Sequence, residues 1–100
     1  MKKVNKIGII GDGSWATALV KLLSQNSTEI YWYIRDKRVY HEIIENKRNP
    51  DYLSSVKIDT NKVYLDTDIN LIIRKSDMIL FVVPSVFFLD TYNQINRSLL

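Results

Sequence analysis

Short apolar blocks alternate along the chain with stretches in which apolar residues recur at helical spacing. Residues 4–10 hold Ile7, Ile9 and Ile10 in a run that stops at Gly11. Its length and β-branching predict a buried strand. From Ser14 the period changes. Trp15, Ala18, Leu19, Leu22 and Leu23 fall at i, i+3, i+4, i+7 and i+8, the apolar stripe of a helix. That helix is expected to run out in Gln25-Asn26-Ser27. Residues 29–34 are β-branched and aromatic, which predicts a second strand. Asp36 is placed to cap a helix with Val39, Ile43 and Ile44 inward, ending before Asn49-Pro50.

Residues 48–61 show no period and read as a loop, and residues 62–65 as a third strand. Asp68 can cap a short helix with Ile69, Ile72 and Ile73 inward, ending near Lys75. Residues 77–83 form the clearest strand, almost wholly apolar and stopped by Pro84. Ser85 is then placed to cap a last helix with Leu89, Tyr92, Ile95 or Asn96, and Leu99 on one side. The order is β-α-β-α-β-α-β-α without an internal repeat. Apolar strands alternating with amphipathic helices require a parallel sheet covered on both faces. Right-handed crossovers then predict an α/β, doubly wound (Rossmann-like) sheet in strand order 3-2-1-4.

Composition narrows the chemistry. One hundred residues are enough for one domain and too few for two. The chain has no cysteine, which excludes a disulfide scaffold, a thiol nucleophile and a Cys-ligated zinc site. A single histidine, His41, excludes a His-rich metal site, so no metal is expected. The net charge of +3 is scattered rather than gathered into a patch, and no nucleic-acid partner is expected. The longest apolar runs have strand length, and Lys2-Lys3 opens no signal peptide. The expectation is a soluble, cytoplasmic protein.

All three glycines, Gly8, Gly11 and Gly13, lie between positions 8 and 13. Gly11-Asp12-Gly13-Ser14-Trp15-Ala16 matches G-x-G-x-x-[G/A] at the junction of the first strand and first helix. In a dinucleotide-binding turn the first glycine permits the tight bend and the second lets a pyrophosphate approach the backbone. The small sixth residue lets helix and strand pack closely. Free N–H groups and the helix dipole then face the anion. No Gly-Lys-Ser/Thr follows, so this is not a Walker loop. A purely structural turn is the alternative.

The end of the second strand bears on the cofactor. An acidic residue there holds the ribose of NAD, whereas an arginine suits the 2′-phosphate of NADP. Here Ile34-Arg35-Asp36 offers both. Arg35 can pair with a phosphate or stack on adenine. The alternative is a surface arginine beside an ordinary N-cap. The cofactor is expected to be NADP or NAD.

Four segments together, IGIIGDGSWATAL, WYIRD, NPDYL and SDMILFVVPSVFF, resemble the NAD(P)-dependent glycerol-3-phosphate dehydrogenases, particularly the bacterial form. That family has a G-x-G-[SN]-W-[GA]-[ST]-A turn, a W-x-R-[DN] strand end, an N-x-x-Y-L-P loop and a V-P-S/H segment. The resemblance covers residues 7–88 and implies cofactor contacts from Gly11, Gly13, Ser14, Trp15, Arg35, Tyr52, Pro84 and Phe87. Each side chain has a plainer alternative. Trp15 could belong to the core, Tyr52 could face solvent, Phe87 could be ordinary packing, and Ser14 could act as an N-cap.

The departures are Asp12 for a small neutral residue, Ile34 for the usual glycine, and Ser54 for the proline after Tyr-Leu. Asp12 brings a negative charge near the expected pyrophosphate.

The resemblance implies NAD(P)H-dependent reduction of dihydroxyacetone phosphate to sn-glycerol 3-phosphate, a phospholipid precursor, with a homodimer left open. It also implies that residues 1–100 are the N-terminal portion of the dinucleotide-binding domain, ending before strands five and six. The helical substrate domain, with its general-acid lysine, would lie beyond Leu100. No catalytic residue is expected in these residues, and the chain alone is expected to be inactive. A 6-phosphogluconate or 2-hydroxyacid dehydrogenase and a non-catalytic nucleotide-sensing domain are the competing readings.

Overall fold

The computed structural model describes residues 5–26 and 28–99. Its elements are β1 (Lys6–Ile10), α1 (Ser14–Ser24), β2 (Glu29–Tyr33), α2 (Lys37–Asn46), β3 (Val63–Asp66), α3 (Ile69–Lys75), β4 (Met78–Phe81) and α4 (Ser85–Asn93). A 3-10 turn follows at Arg97–Leu99. The strands form one sheet in the order β3-β2-β1-β4, as expected. Every neighbouring pair is parallel, with Ile9 opposite Trp32 on one side and Leu80 on the other. Among the described residues no helix is long and apolar enough to cross a membrane.

The period-two alternation of the strands divides the core into two layers. Ile7, Ile9, Ile30, Trp32, Val63 and Leu65 pack on the α1 and α2 side with Ala16, Val20, Val39 and Ile43. Ile10 and Tyr33 point the other way, toward Ile69, Ile72 and Ile73 of α3 and toward Ile95. The two expected aspartate caps form: Asp36 accepts from the Arg38 amide at 2.8 Å and Asp68 from the Asn70 amide at 3.0 Å. Each satisfies one of the unpaired N–H groups of a first helical turn.

Several side-chain placements differ from the sequence expectation. In α1 the buried face is Ala16, Thr17, Val20 and Ser24, whereas Trp15, Ala18 and Leu22 are exposed. A helix that follows a tight turn lies close to the strand it leaves, so the sheet-facing positions are mostly small; of the expected stripe, Leu19 and Leu23 are half-buried, Leu23 against the core. In α2, Val39 and Ile43 are buried but Ile44 is exposed.

Ser14 and Ser85 are not N-caps. Those positions fall to Gly13 and Pro84, without a side-chain cap bond. In α4 no residue is buried: Leu89 and Tyr92 are exposed, and the helix ends before Ile95 and Leu99 could share its face. The strand beneath it, β4, is a sheet edge. It holds α4 mainly through Phe81, whose ring lies edge-on to Phe88 at 5.0 Å.

Candidate cofactor site

In a parallel sheet the loops after the strands gather at one end, and helix N-termini point there. At that end the Gly11–Gly13 turn follows β1, Ile34–Asp36 follows β2 and Val82–Pro84 follows β4. The loop 49–53 folds against them from the side. Together they enclose an open cleft of about 580 Å³ lined by Gly13, Ser14, Trp15, Arg35, Tyr52, Pro84 and Phe87, among others. A smaller adjoining recess is lined by Gly11, Asp12, Tyr33, Arg35, Val83, Pro84, Phe87 and Thr91. The structure therefore places seven of the eight sequence-predicted residues around the cleft, with the eighth, Gly11, lining the adjoining recess. A hollow of comparable size, about 610 Å³, lies beside the starts of β2 and β3. No loop or helix N-terminus of a β-α junction lines it.

The two glycines of the turn do different work. Gly11 has φ +140°, and a Cβ there would lie 2.1 Å from the Val82 carbonyl oxygen. Only glycine tolerates that conformation and that approach. At Gly13 a Cβ would meet nothing within 4 Å. The space beside it opens into the cleft.

Three side chains from three elements hold the carbonyls of the turn. The Trp32 indole Nε1 donates to Gly11 O at 2.6 Å. Asn49 Nδ2 donates to Asp12 O at 2.9 Å, and Thr17 Oγ1 to Gly13 O at 2.8 Å. All these peptides are trans, so each carbonyl points opposite to the N–H of its own peptide unit. Tying the carbonyls of Gly11, Asp12 and Gly13 to the protein therefore turns the amides of Asp12, Gly13 and Ser14 the other way. With the N-terminus of α1 behind them, these amides suit an anion.

Sequence reasoning passed over Trp32, Thr17 and Asn49 as site residues. A signal existed for Trp32, because a tryptophan in a buried strand needs a partner for its N–H. Asn49 was visible only as the first residue of the NPDYL segment and as the stop after a helix, with nothing to show what its side chain bonds.

The side chains around the cleft resolve several open alternatives. Trp15 is 79% exposed, which removes it from the core. Phe87 is about half exposed and lines the cleft, so it is not buried packing; Tyr52 also lines the cleft and keeps about half of its surface open to solvent. Arg35 is exposed and has no hydrogen-bond or ion-pair partner among the described residues. Asp36, by contrast, is engaged as the α2 cap. Asp12 lines both hollows. Its charge and that of Arg35 meet at Tyr33: burial pushes the Tyr33 phenol up, Arg35 opposes this, and Asp12 reinforces it.

Residues 6–99 match the family described as NAD-dependent glycerol-3-phosphate dehydrogenase, N-terminus. The chain belongs to this family. Among curated relatives it is 35% identical over 92 residues to the glycerol-3-phosphate dehydrogenase [NAD(P)+] of Rickettsia felis. It is 33% identical over 91 residues to that of Rickettsia typhi. These alignments cover 91% and 90% of the chain but only 28% of each relative. A crystal structure of glycerol-3-phosphate dehydrogenase from Coxiella burnetii superposes with a TM-score of 0.73 at 26% identity. That match covers 82% of this chain and 25% of the other. The chain thus spans little more than a quarter of the length of its dehydrogenase relatives, and its Rossmann-like sheet is the family's N-terminal fold.

Proposed function

We propose that this chain is the cofactor-binding half of an NAD(P)-dependent glycerol-3-phosphate dehydrogenase. The whole enzyme would reduce dihydroxyacetone phosphate to sn-glycerol 3-phosphate, supplying glycerophospholipid synthesis. The carrying observation is the convergence of Trp15, Arg35, Tyr52, Pro84 and Phe87 on a turn whose second glycine is open.

The amides of Asp12, Gly13 and Ser14 hold the pyrophosphate, and Arg35 takes the adenosine end. Trp15, Tyr52, Pro84 and Phe87 wall the cleft and exclude water from the remainder of the cofactor. When bound, NAD(P)H supplies a hydride. Because Asp36 is committed to its helix cap and Arg35 has no partner among the described residues, the adenosine end accepts NADP as well as NAD.

Residues 1–100 then form the N-terminal portion of the dinucleotide-binding domain. Proton donation and substrate-phosphate binding fall to chain that the relatives have beyond the matched region. Hydride arrival creates an alkoxide that needs such a donor. The segment alone binds cofactor without turning it over.

Titration of the purified chain with NADH and NADPH, followed by reduced-nicotinamide fluorescence, tests the reading. Both are expected to bind. Arg35→Ala should weaken NADPH by about 2 kcal/mol, roughly thirtyfold, and NADH much less. Binding of neither cofactor overturns the proposal. Reduction of dihydroxyacetone phosphate by the chain alone overturns the assignment of proton donation to other residues.

A further inference from the structure

Asn49 is completely buried, yet it lies in a loop whose neighbours Pro50, Asp51 and Tyr52 are all exposed. Its side-chain amide uses its full hydrogen-bonding capacity of two donors and two acceptor sites. Nδ2 donates to Asp12 O at 2.9 Å and to Thr17 Oγ1 at 3.0 Å. Oδ1 accepts from the amides of Asp51 at 3.0 Å and Tyr52 at 3.3 Å. The donors thus face the glycine turn and α1, and the acceptors face the Tyr52 loop.

The Asp12 carbonyl belongs to the same peptide unit as the Gly13 N–H, so the first bond sets the direction of that amide. The loop on the other side is conformationally demanding. It is entered at Lys47 with φ 64°, and Leu53 adopts φ 51°. Such values are rare for residues with a bulky side chain and persist only where surrounding contacts impose them. Outside, Arg38 Nη2 clips the same loop to the start of α2 through Asp51 Oδ2 at 2.6 Å.

We propose that Asn49 is a positioning residue that locks the Gly13 amide and the Tyr52 loop into one unit, so that the two engage a dinucleotide together. Thr17 Oγ1 joins the same network, donating to Gly13 O and accepting from Asn49 Nδ2, but among the described side chains only Asn49 bonds the backbone of both the turn and this loop. The inference rests on dinucleotide binding at the turn. It adds that pyrophosphate capture at Gly13 and contact of the Tyr52 loop with the dinucleotide are a single event.

The test is amide NMR of wild type and Asn49→Ala, each titrated with NADH. In wild type, NADH should shift the Gly13 amide and slow hydrogen exchange at Gly13, Asp51 and Tyr52 together. In Asn49→Ala the sheet amides should keep their wild-type shifts, NADH affinity should fall about tenfold, and the linked response of Gly13 and Tyr52 should disappear. A uniformly structural role would disturb the sheet amides instead.

Asn49→Ala that binds NADH within about twofold of wild type, with the linked response intact, overturns the inference. If the variant does not fold, wild type alone decides. Protection gained at Gly13 without Asp51 and Tyr52 overturns the proposal, and joint protection supports it. Absence of NADH binding to wild type is a separate result, which overturns the cofactor assignment and this inference with it.

Discussion

Trp32 and Gly11 are joined by a buried hydrogen bond, the indole N–H of one donating to the carbonyl of the other at 2.6 Å. Trp32 has no exposed surface. An indole buried without a partner would lose the solvation of its N–H, and its partner here is the carbonyl where the chain leaves β1. The largest side chain of the core thereby fixes the start of the cofactor turn.

Trp32→Phe is expected to remove this bond, strand the Gly11 carbonyl and leave a void. The combined loss should be about 2–4 kcal/mol, measured by urea denaturation. NADH affinity should fall as well. Val63→Ala, a core truncation remote from the turn, should lower stability without changing that affinity. Equal affinity loss in both variants would show that binding simply follows global stability.

Gly11→Ala and Gly13→Ala should separate folding from binding. At Gly11 the backbone conformation and the nearby Val82 carbonyl both reject a Cβ. The expected cost is about 3 kcal/mol or more, seen as a lost or strongly lowered melting transition. At Gly13, φ is −83° and a Cβ meets open space. Stability should stay within about 1 kcal/mol of wild type, since reduced unfolded-state entropy offsets a weaker N-cap. Cofactor affinity should nevertheless drop about tenfold or more, because the methyl group occupies the approach of the pyrophosphate. Unchanged affinity in Gly13→Ala would remove the pyrophosphate from this position.

Trp15→Ala tests the exposed indole. With 79% of its surface accessible, Trp15 contributes little packing, and the melting temperature should barely change. NADH binding should weaken several-fold through loss of an aromatic wall. A large fall in stability with intact binding would reverse that assignment.

Alkaline pH provides an independent check on the sheet. The Tyr31 phenol is pushed up to about 12, first by its hydrogen bond to Glu29, then by burial and by the nearby carboxylates. The unfolded chain releases this proton near the ordinary value of 10.0. Between these values the unfolded state has lost a proton that the folded state retains. Stability is therefore complete below about 10 and declines as pH rises toward 12. Tyr33 and Tyr64 are displaced in the same direction. Denaturation midpoints across this range should fall less steeply for Tyr31→Phe than for wild type. Identical slopes would show that Tyr31 ionises alike in both states.

The turn was legible in the sequence because its requirements are local. Gly11 must adopt a conformation that few residues allow, Ala16 must be small, and both demands leave a spacing in the chain. The aspartate caps at Asp36 and Asp68 were legible for the same reason, since each bonds an amide two residues away. The strand order followed from βα alternation and the handedness of crossovers.

The buried face was legible for α3, where Ile69, Ile72 and Ile73 are all buried, and largely for α2, but not for α1 and α4. Trp15 and Leu22 form an apolar stripe on α1, but the sheet lies against Ala16, Thr17 and Val20, where small side chains permit close approach. Leu89 and Tyr92 of α4 looked inward by spacing alone, yet α4 meets β4 through ring contacts of Phe81 with Phe88 and Tyr92, and none of its residues is fully buried.

By itself, then, the sequence determined the parallel sheet, the glycine turn and the family, because each depends on residue type at short range. Only the tertiary structure decided that Trp32, Thr17 and Asn49 hold the three carbonyls of that turn. Those bonds link Gly11 to a strand residue 21 positions away and Asp12 to a loop residue 37 positions away. No periodicity encodes such pairs. They exist because a buried donor must find an acceptor, and folding brings the turn's carbonyls within reach.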